Sequence, residues 1–180
     1  WGIGTEHARV PTDDEIRETL ALVDYSQVEI NDNDNSVFLK KPGMAIDLGG
    51  IAKGYAADEA ARILQDYGIK HATINLGGNI LVLGGKSDGR PWRIGIQNPF
   101  FKTRGSIMAT MEVWDKTLVT SGPYERYFEE GGKLYHHILD TDTGFPVDND
   151  LMSVTIITDS SIDADALSTA VFAMGLEEGM

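Results

Sequence analysis

The sequence predicts an α+β fold: a mixed, mainly antiparallel sheet packed by helices. Two observations predict it. Short runs of alternating apolar and polar residues recur along the chain, separated by turns of Gly, Pro, Asp and Asn, which is the pattern of half-buried antiparallel strands. Three stretches instead carry apolar residues at helical spacing behind helix-starting residues, which adds the packing helices.

The elements follow in order. Pro11-Thr12-Asp13-Asp14-Glu15 ahead of Ile16, Leu20 and Val23 predicts a helix with Thr12 as N-cap and Glu15 three residues on, a capping box. Gln27–Ile30 and Val37–Lys40 flank the cluster Asn31–Asn35 and read as a hairpin; that cluster lacks the spacing and distal Glu of a calcium loop, so it is a solvated turn. Gly49 and Gly50 fall at a strand-to-helix junction, and the helix from Gly54 to Tyr67 is ended by Gly68. Ala72, Ile74 and Leu76 alternate as a strand, which Gly77-Gly78-Asn79 interrupts as a bulge before Ile80–Leu83 continues it. Further strands are expected at Trp92–Gln97, Ile107–Val113, Leu118–Thr120, His136–Leu139 and Met152–Ile157, and a last helix after Ser160-Ser161. Neither internal repeats nor linker-like stretches divide the 180 residues, so one domain is expected.

Composition narrows the function classes. Apolar residues make up 42% and charged residues 24%, the balance of a globular domain. A formal net charge of −13 disfavours non-specific binding to nucleic acid or to an anionic bilayer. No apolar run is long enough to span a membrane, and no cysteine is present to form disulfides or thiolate metal sites. The chain opens on Trp1 and stops at Met180 just after a helical pattern, so both ends read as cuts through a longer polypeptide.

The densest segment runs Asp47-Leu48-Gly49-Gly50-Ile51-Ala52-Lys53-Gly54-Tyr55-Ala56. Glycines at a helix N-terminus let a ligand approach unsatisfied amides at the positive end of the macrodipole, which suits an anion. Asp47 beside such a site makes sense if it binds a cation or accepts a hydrogen bond from the ligand. Neither G-x-G-x-x-G nor the P-loop pattern is present. Taken alone, Gly-Gly before an Ala-rich helix is more often a plain connection. Asp165 and Thr169, at i and i+4 of the last helix, share a face and offer two oxygen ligands to a hard cation. On that segment alone, dipole capping by Asp and back-bonding by Thr weigh more. His136 and His137 point to opposite faces of a strand, so one can serve as general base. The chain has no H-E-x-x-H, which disfavours zinc, and Ser121 lacks the nucleophile elbow of serine hydrolases.

Taken together and in this order, the Asp47–Ala56 segment, His137-Ile138-Leu139-Asp140 with Thr143-Gly144-Phe145-Pro146, and Asp163-Ala164-Asp165-Ala166 to Thr169 resemble the FAD:protein FMN transferases, the ApbE-type family. Trp1-Gly2-Ile3-Gly4, Asn75-Leu76-Gly77-Gly78-Asn79, Pro91–Pro99 and Ser121–Phe128 match as well, so the resemblance covers the whole chain, taken as the C-terminal two-thirds of the family's domain. It implies an ApbE-like (T-fold-like) architecture and Mg²⁺-dependent transfer of FMN from FAD onto a Thr or Ser hydroxyl of a target flavoprotein, with release of AMP. Carried over by position, it implies Gly50 (through its carbonyl), Asp165 and Thr169 as metal ligands, Asp47, Lys53 and Leu139 as FAD contacts, and His137 as the group that activates the acceptor hydroxyl. Some members carry Thr at the position of Gly50 and an acid at that of Lys53. The partners implied are a redox-pump subunit or an exported flavoprotein, and the setting is extracytoplasmic, by way of an N-terminal lipid anchor outside this sequence. Two other readings share these residues: an FAD pyrophosphatase releasing FMN and AMP, and a non-catalytic FAD-binding lipoprotein. A storage site needs no base, so the presence of His137 together with Asp165 and Thr169 favours chemistry.

Overall fold

The computed structural model describes residues 1–101 and 105–180. In chain order the elements are α1 (Asp13–Leu20), β1 (Val28–Asn31), β2 (Ser36–Leu39), α2 (Ala52–Asp66), β3 (Ala72–Asn75), β4 (Asn79–Leu83), β5 (Trp92–Gln97), β6 (Ile107–Val113), β7 (Thr117–Ser121), β8 (Tyr127–Glu130), β9 (Lys133–His136), β10 (Val154–Thr158) and α3 (Ser161–Gly179). Among the described residues every strand pair is antiparallel, and no helix is long and apolar enough to cross a membrane. The residues gather into two compact units, Trp1–Asp47 with Arg126–Asp148, and Leu48–Glu125 with Asn149–Met180.

In the first unit, α1 starts where the sequence places it: Thr12 accepts from the Glu15 amide, and the Glu15 carboxylate returns a bond to the Thr12 amide. The β1–β2 hairpin turns through Asn31–Asn35, with Asn35 at φ 53°. Trp1 packs against Tyr135 and Phe145, and its indole N–H donates to the Gly144 carbonyl at 2.7 Å. A Cβ on Gly144, at φ +74°, would stand 2.7 Å from Ile16 Cγ2, so this turn requires glycine.

The second unit is built on the sheet β10-β7-β4-β3. Residues alternate across it. Leu81 and Leu83 join Ala57 and Ala61 of α2 in one apolar cluster, while Val82 and Leu118 pack with Val113, Trp92 and Ile94 of the β5–β6 hairpin in another. Along β7, the same alternation turns Thr117 and Ser121 toward α3, where both hydrogen bond. Fully buried, Val82, Val119 and Phe172 each contribute roughly 1.5–3 kcal/mol of burial.

Three expectations change, and one strand is unanticipated. Gly77-Gly78 is a chain reversal and no bulge: both glycines have positive φ (67° and 98°), Leu76 N–H donates to the Asn79 carbonyl, and β3 pairs with β4 around them, the two-residue hairpin turn that favours glycine twice. Ahead of Gly49 the backbone is irregular, so α2 follows a turn instead of a strand. The strand expected at His136–Leu139 ends at His136, and Leu139 makes only an isolated bridge to Pro146. Its partner β8 has no sequence signal, because Tyr-Phe-Glu-Glu does not alternate.

Candidate functional site

Two helix N-termini meet in the second unit, and each is capped by a carboxylate of the other helix. Every first-turn amide of α3 is bonded: Ser161 and Ile162 donate to the two oxygens of Asp58 at 2.9 Å, Asp163 to the Ser160 hydroxyl, and Ala164 to the Ser160 carbonyl. At α2, Ile51 is the N-cap and offers no side-chain bond. The Gly54 amide instead donates to Asp165 Oδ2 at 2.8 Å, while Ala52 and Tyr55 donate to the carbonyls of Leu48 and Ile51. This corrects part of the anion-cradle expectation: the Gly54 amide is occupied by the protein's own carboxylate. Among the described residues the Lys53 amide makes no hydrogen bond, and its exposed side chain has no ion-pair partner.

Gly54 is glycine because the helices approach so closely. A Cβ there would lie 2.6 Å from Ile162 Cα and closer still to the Ser161 carbonyl oxygen. At Gly50 a Cβ would meet nothing within 4 Å.

Asp165 is only 4% exposed. Among the described residues its other oxygen, Oδ1, accepts no hydrogen bond and no cationic side chain pairs with it. Among the described residues the one buried side-chain atom without a partner is Asn79 Nδ2, so Asp165 Oδ1 reaches the surface, where water or a cation can meet it. Thr169, half-buried on the same face, does not bond back to a carbonyl, as the bland reading of the sequence expects; its hydroxyl lies 3.1 Å from Ser121 Oγ. Ser168 makes the back-bond instead, donating to the Asp165 carbonyl at 3.0 Å. Among the described residues no three His, Cys, Asp or Glu side chains gather to hold a metal. One carboxylate and one hydroxyl suit a hard cation that keeps water or ligand oxygens in its remaining positions.

Asn79 is wholly buried against this same helix start. Its Oδ1 accepts from Ser161 Oγ at 2.8 Å, which also bonds Thr117 Oγ1, and among the described residues its Nδ2 has no partner. It is part of the core, where the sequence left a ligand contact open.

In the first unit the two histidines divide as the alternation predicts: His136 is buried and His137 exposed. His136 Nε2 donates to the Val147 carbonyl at 2.9 Å and Nδ1 accepts from the Ile138 amide, which fixes the tautomer. Burial lowers its pKa below the ordinary value, against a smaller opposing effect from the Val147 bond and the Asp148 charge. His137 Nδ1 lies 3.2 Å from the Arg126 carbonyl. A carbonyl only accepts, so Nδ1 carries the proton and Nε2 of the neutral ring is an acceptor. Leu139 lines a cavity of about 450 Å³ with Trp1, Ile16, Leu20 and Val23. Asp47 ends this unit's first segment. Sequence reasoning missed Ser121, Ser168, Gly54 and Asp58; the first two carry a signal only once β7 is known to face α3.

The helix-paired second unit is thus an α+β module that sets a mostly buried carboxylate and a hydroxyl, Asp165 and Thr169, on one face of α3. The profile of the ApbE family matches residues 1–180. The chain is 43% identical over 179 residues to the FAD:protein FMN transferase of Klebsiella pneumoniae (strain 342), covering 99% of this chain and 54% of that protein. To the Vibrio cholerae enzyme of the same name it is 40% identical over 183 residues, again with 54% of that protein covered. The crystal structure of the ApbE protein from Thermotoga maritima superposes with a TM-score of 0.86 at 41% identity, over 95% of this chain and 54% of that one. The flavin transferase ApbE from Vibrio cholerae does so with a TM-score of 0.83 at 35% identity, over 97% and 54%. The chain belongs to the ApbE family. It spans about half the length of the curated relatives it matches, where the resemblance implied two-thirds.

Proposed function

We propose that this chain supplies the metal-binding and base-carrying part of an FAD:protein FMN transferase, within a single transferase domain. The observation that carries the reading is Asp165: a buried carboxylate with one oxygen bonded and one open, beside the Thr169 hydroxyl, in a chain whose relatives bear that name.

Asp165 Oδ1, Thr169 Oγ1 and the Gly50 carbonyl would hold Mg²⁺. When bound, the cation supplies charge neutralisation at the FAD pyrophosphate. Lys53, at the positive end of α2, adds a point charge and a backbone donor for the same phosphates. His137 Nε2 accepts the proton of the acceptor Thr or Ser hydroxyl. That oxygen then bonds to the FMN phosphorus while the bond between phosphorus and the bridging oxygen breaks, and AMP leaves with that oxygen. Positioning and charge account for most of such a phosphoryl transfer. Support for Leu139 as an FAD contact is the cavity it lines; Asp47 is assigned by position in the family motif. The acceptor is a flavoprotein, a redox-pump subunit or an exported protein, met outside the cytoplasm through a lipid anchor.

The test is the full-length protein with FAD, Mg²⁺ and an acceptor peptide bearing Thr, read by mass spectrometry, beside His137→Ala and Asp165→Ala. FMN mass on the peptide that requires metal, and is lost in both variants, is expected. Release of FMN and AMP with an unmodified peptide would instead identify a pyrophosphatase, and intact FAD would overturn catalysis.

A further inference from the structure

Ser121 stands at the end of β7, half-buried, with Oγ 2.8 Å from Ser168 Oγ and 3.1 Å from Thr169 Oγ1. Three hydroxyls so close admit few arrangements of their hydrogens. Ser168 donates to the Asp165 carbonyl, which can only accept. Its single hydrogen is therefore used, so Ser121 must donate to Ser168. Ser121's hydrogen is then used in turn, and Thr169 must donate to Ser121. Only this polarity, Thr169 to Ser121 to Ser168 to the Asp165 carbonyl, satisfies all three contacts.

A hydroxyl that ligates a cation must aim its hydrogen away from the metal and its lone pairs toward it. We propose that Ser121 is a positioning residue for the metal site: by accepting the Thr169 hydrogen it fixes that hydroxyl with its lone pairs turned away from Ser121 and open to a cation. Ser168 keeps Ser121 in the accepting state. Without Ser121 the Thr169 hydroxyl rotates freely or bonds back along its own helix, and affinity falls because the ligand must be oriented at the moment of binding. Outer-shell partners that orient ligands contribute about 10–100-fold in metal affinity.

This inference rests on the metal reading proposed above, and the experiment separates the two. Mn²⁺ binding to the full-length protein is followed by electron paramagnetic resonance and Mg²⁺ binding by calorimetry, without FAD, for the native protein, Ser121→Ala, Ser121→Thr, Ser121→Cys, Thr169→Val, the double variant Ser121→Ala/Thr169→Val, and Asp165→Asn. Melting in chelator is recorded for each. Ser121→Ala is expected to bind Mn²⁺ about tenfold more weakly, with Ser121→Thr near native and Ser121→Cys weakened, since sulfur is a poor acceptor. In the Thr169→Val background, Ser121→Ala is expected to add nothing, because the residue acts through that hydroxyl. If Ser121→Ala melts at room temperature, the isosteric Ser121→Cys decides alone. Native affinity in Ser121→Ala or Ser121→Cys, or an undiminished loss in the Thr169→Val background, would overturn the role of Ser121 while leaving the metal site standing. Absence of Mn²⁺ binding to the native protein, or native binding by Asp165→Asn, would overturn the metal reading and this inference with it.

Discussion

Asp58 and Asp165 are the same residue type in mirrored places, each on one helix and each at the N-terminus of the other. Asp58 spends both oxygens, on the Ser161 and Ile162 amides. Asp165 spends one on the Gly54 amide and, among the described residues, keeps the other open. A cap satisfied on both oxygens is complete as structure, whereas a carboxylate with one oxygen open at the surface can still take a ligand. The two carboxylates therefore differ in what their second oxygens meet. Helix position and sequence neighbourhood do not separate them.

The largest way to break this comparison is Gly54→Ala. Its methyl group would collide with the Ser161 and Ile162 backbone, which cannot yield as a side chain can, so the helices must part and both caps lengthen. A loss of about 3 kcal/mol in urea denaturation is expected, with metal binding lost as well. A fully stable Gly54→Ala would mean that the helix pair is looser than its packing indicates.

The next test sharpens it by dividing the two carboxylates. Asp58→Ala should cost about 1–2 kcal/mol, the value of a good N-cap, and leave the Mg²⁺-induced rise in melting temperature in place. Asp165→Asn should do the reverse. The amide oxygen can keep the Gly54 bond while the negative charge is gone, so the metal-free protein should melt close to the native value and the metal-induced rise should vanish. Thermal melts with and without Mg²⁺ decide; equal behaviour of the two variants would sink the distinction.

The neighbouring histidines repeat the contrast in the first unit, on a smaller scale. His136 has both ring nitrogens bonded and a lowered pKa caused chiefly by burial. The unfolded chain therefore binds a proton more readily than the folded one. The neutral ring's contribution to stability is fully present above its unfolded pKa of about 6.5 and is lost as pH falls through the lower folded value. Urea midpoints of the native protein should decline across that window, and those of His136→Gln should decline less. Identical slopes would show that protonating His136 costs the fold nothing.

Much of this was legible before any coordinates. The Thr12–Glu15 capping box, the Asn31–Asn35 hairpin, the i, i+4 placement of Asp165 and Thr169 and the opposed faces of His136 and His137 all follow from local spacing, and local spacing is what a sequence displays. What stayed hidden is pairwise and distant. Gly77-Gly78 reads as a bulge until β3 is known to pair with β4. Asp58 could not be recognised as a cap for a helix 103 residues away. Ser121 looked like a failed nucleophile because its meaning depends on which face of β7 meets α3. The Gly54 amide looked available to a ligand because the carboxylate that takes it lies 111 residues on.

The smallest expected effect is Gly50→Ala, and it sets the two glycines of one motif against each other. A Cβ at Gly50 meets open space and the residue does not need a positive φ, so nothing in the fold requires glycine there. If Gly50 serves the metal through its carbonyl, a methyl group leaves that oxygen in place. Stability should then change by less than about 0.5 kcal/mol, and Mg²⁺ affinity should stay at the native value in the same calorimetry that tests Asp165. A clear loss of affinity with stability intact would mean that the open space beside Gly50 is where a ligand lies against bare backbone. The glycine would then be kept for close approach, and its part in the site would have to be reassigned from metal to FAD.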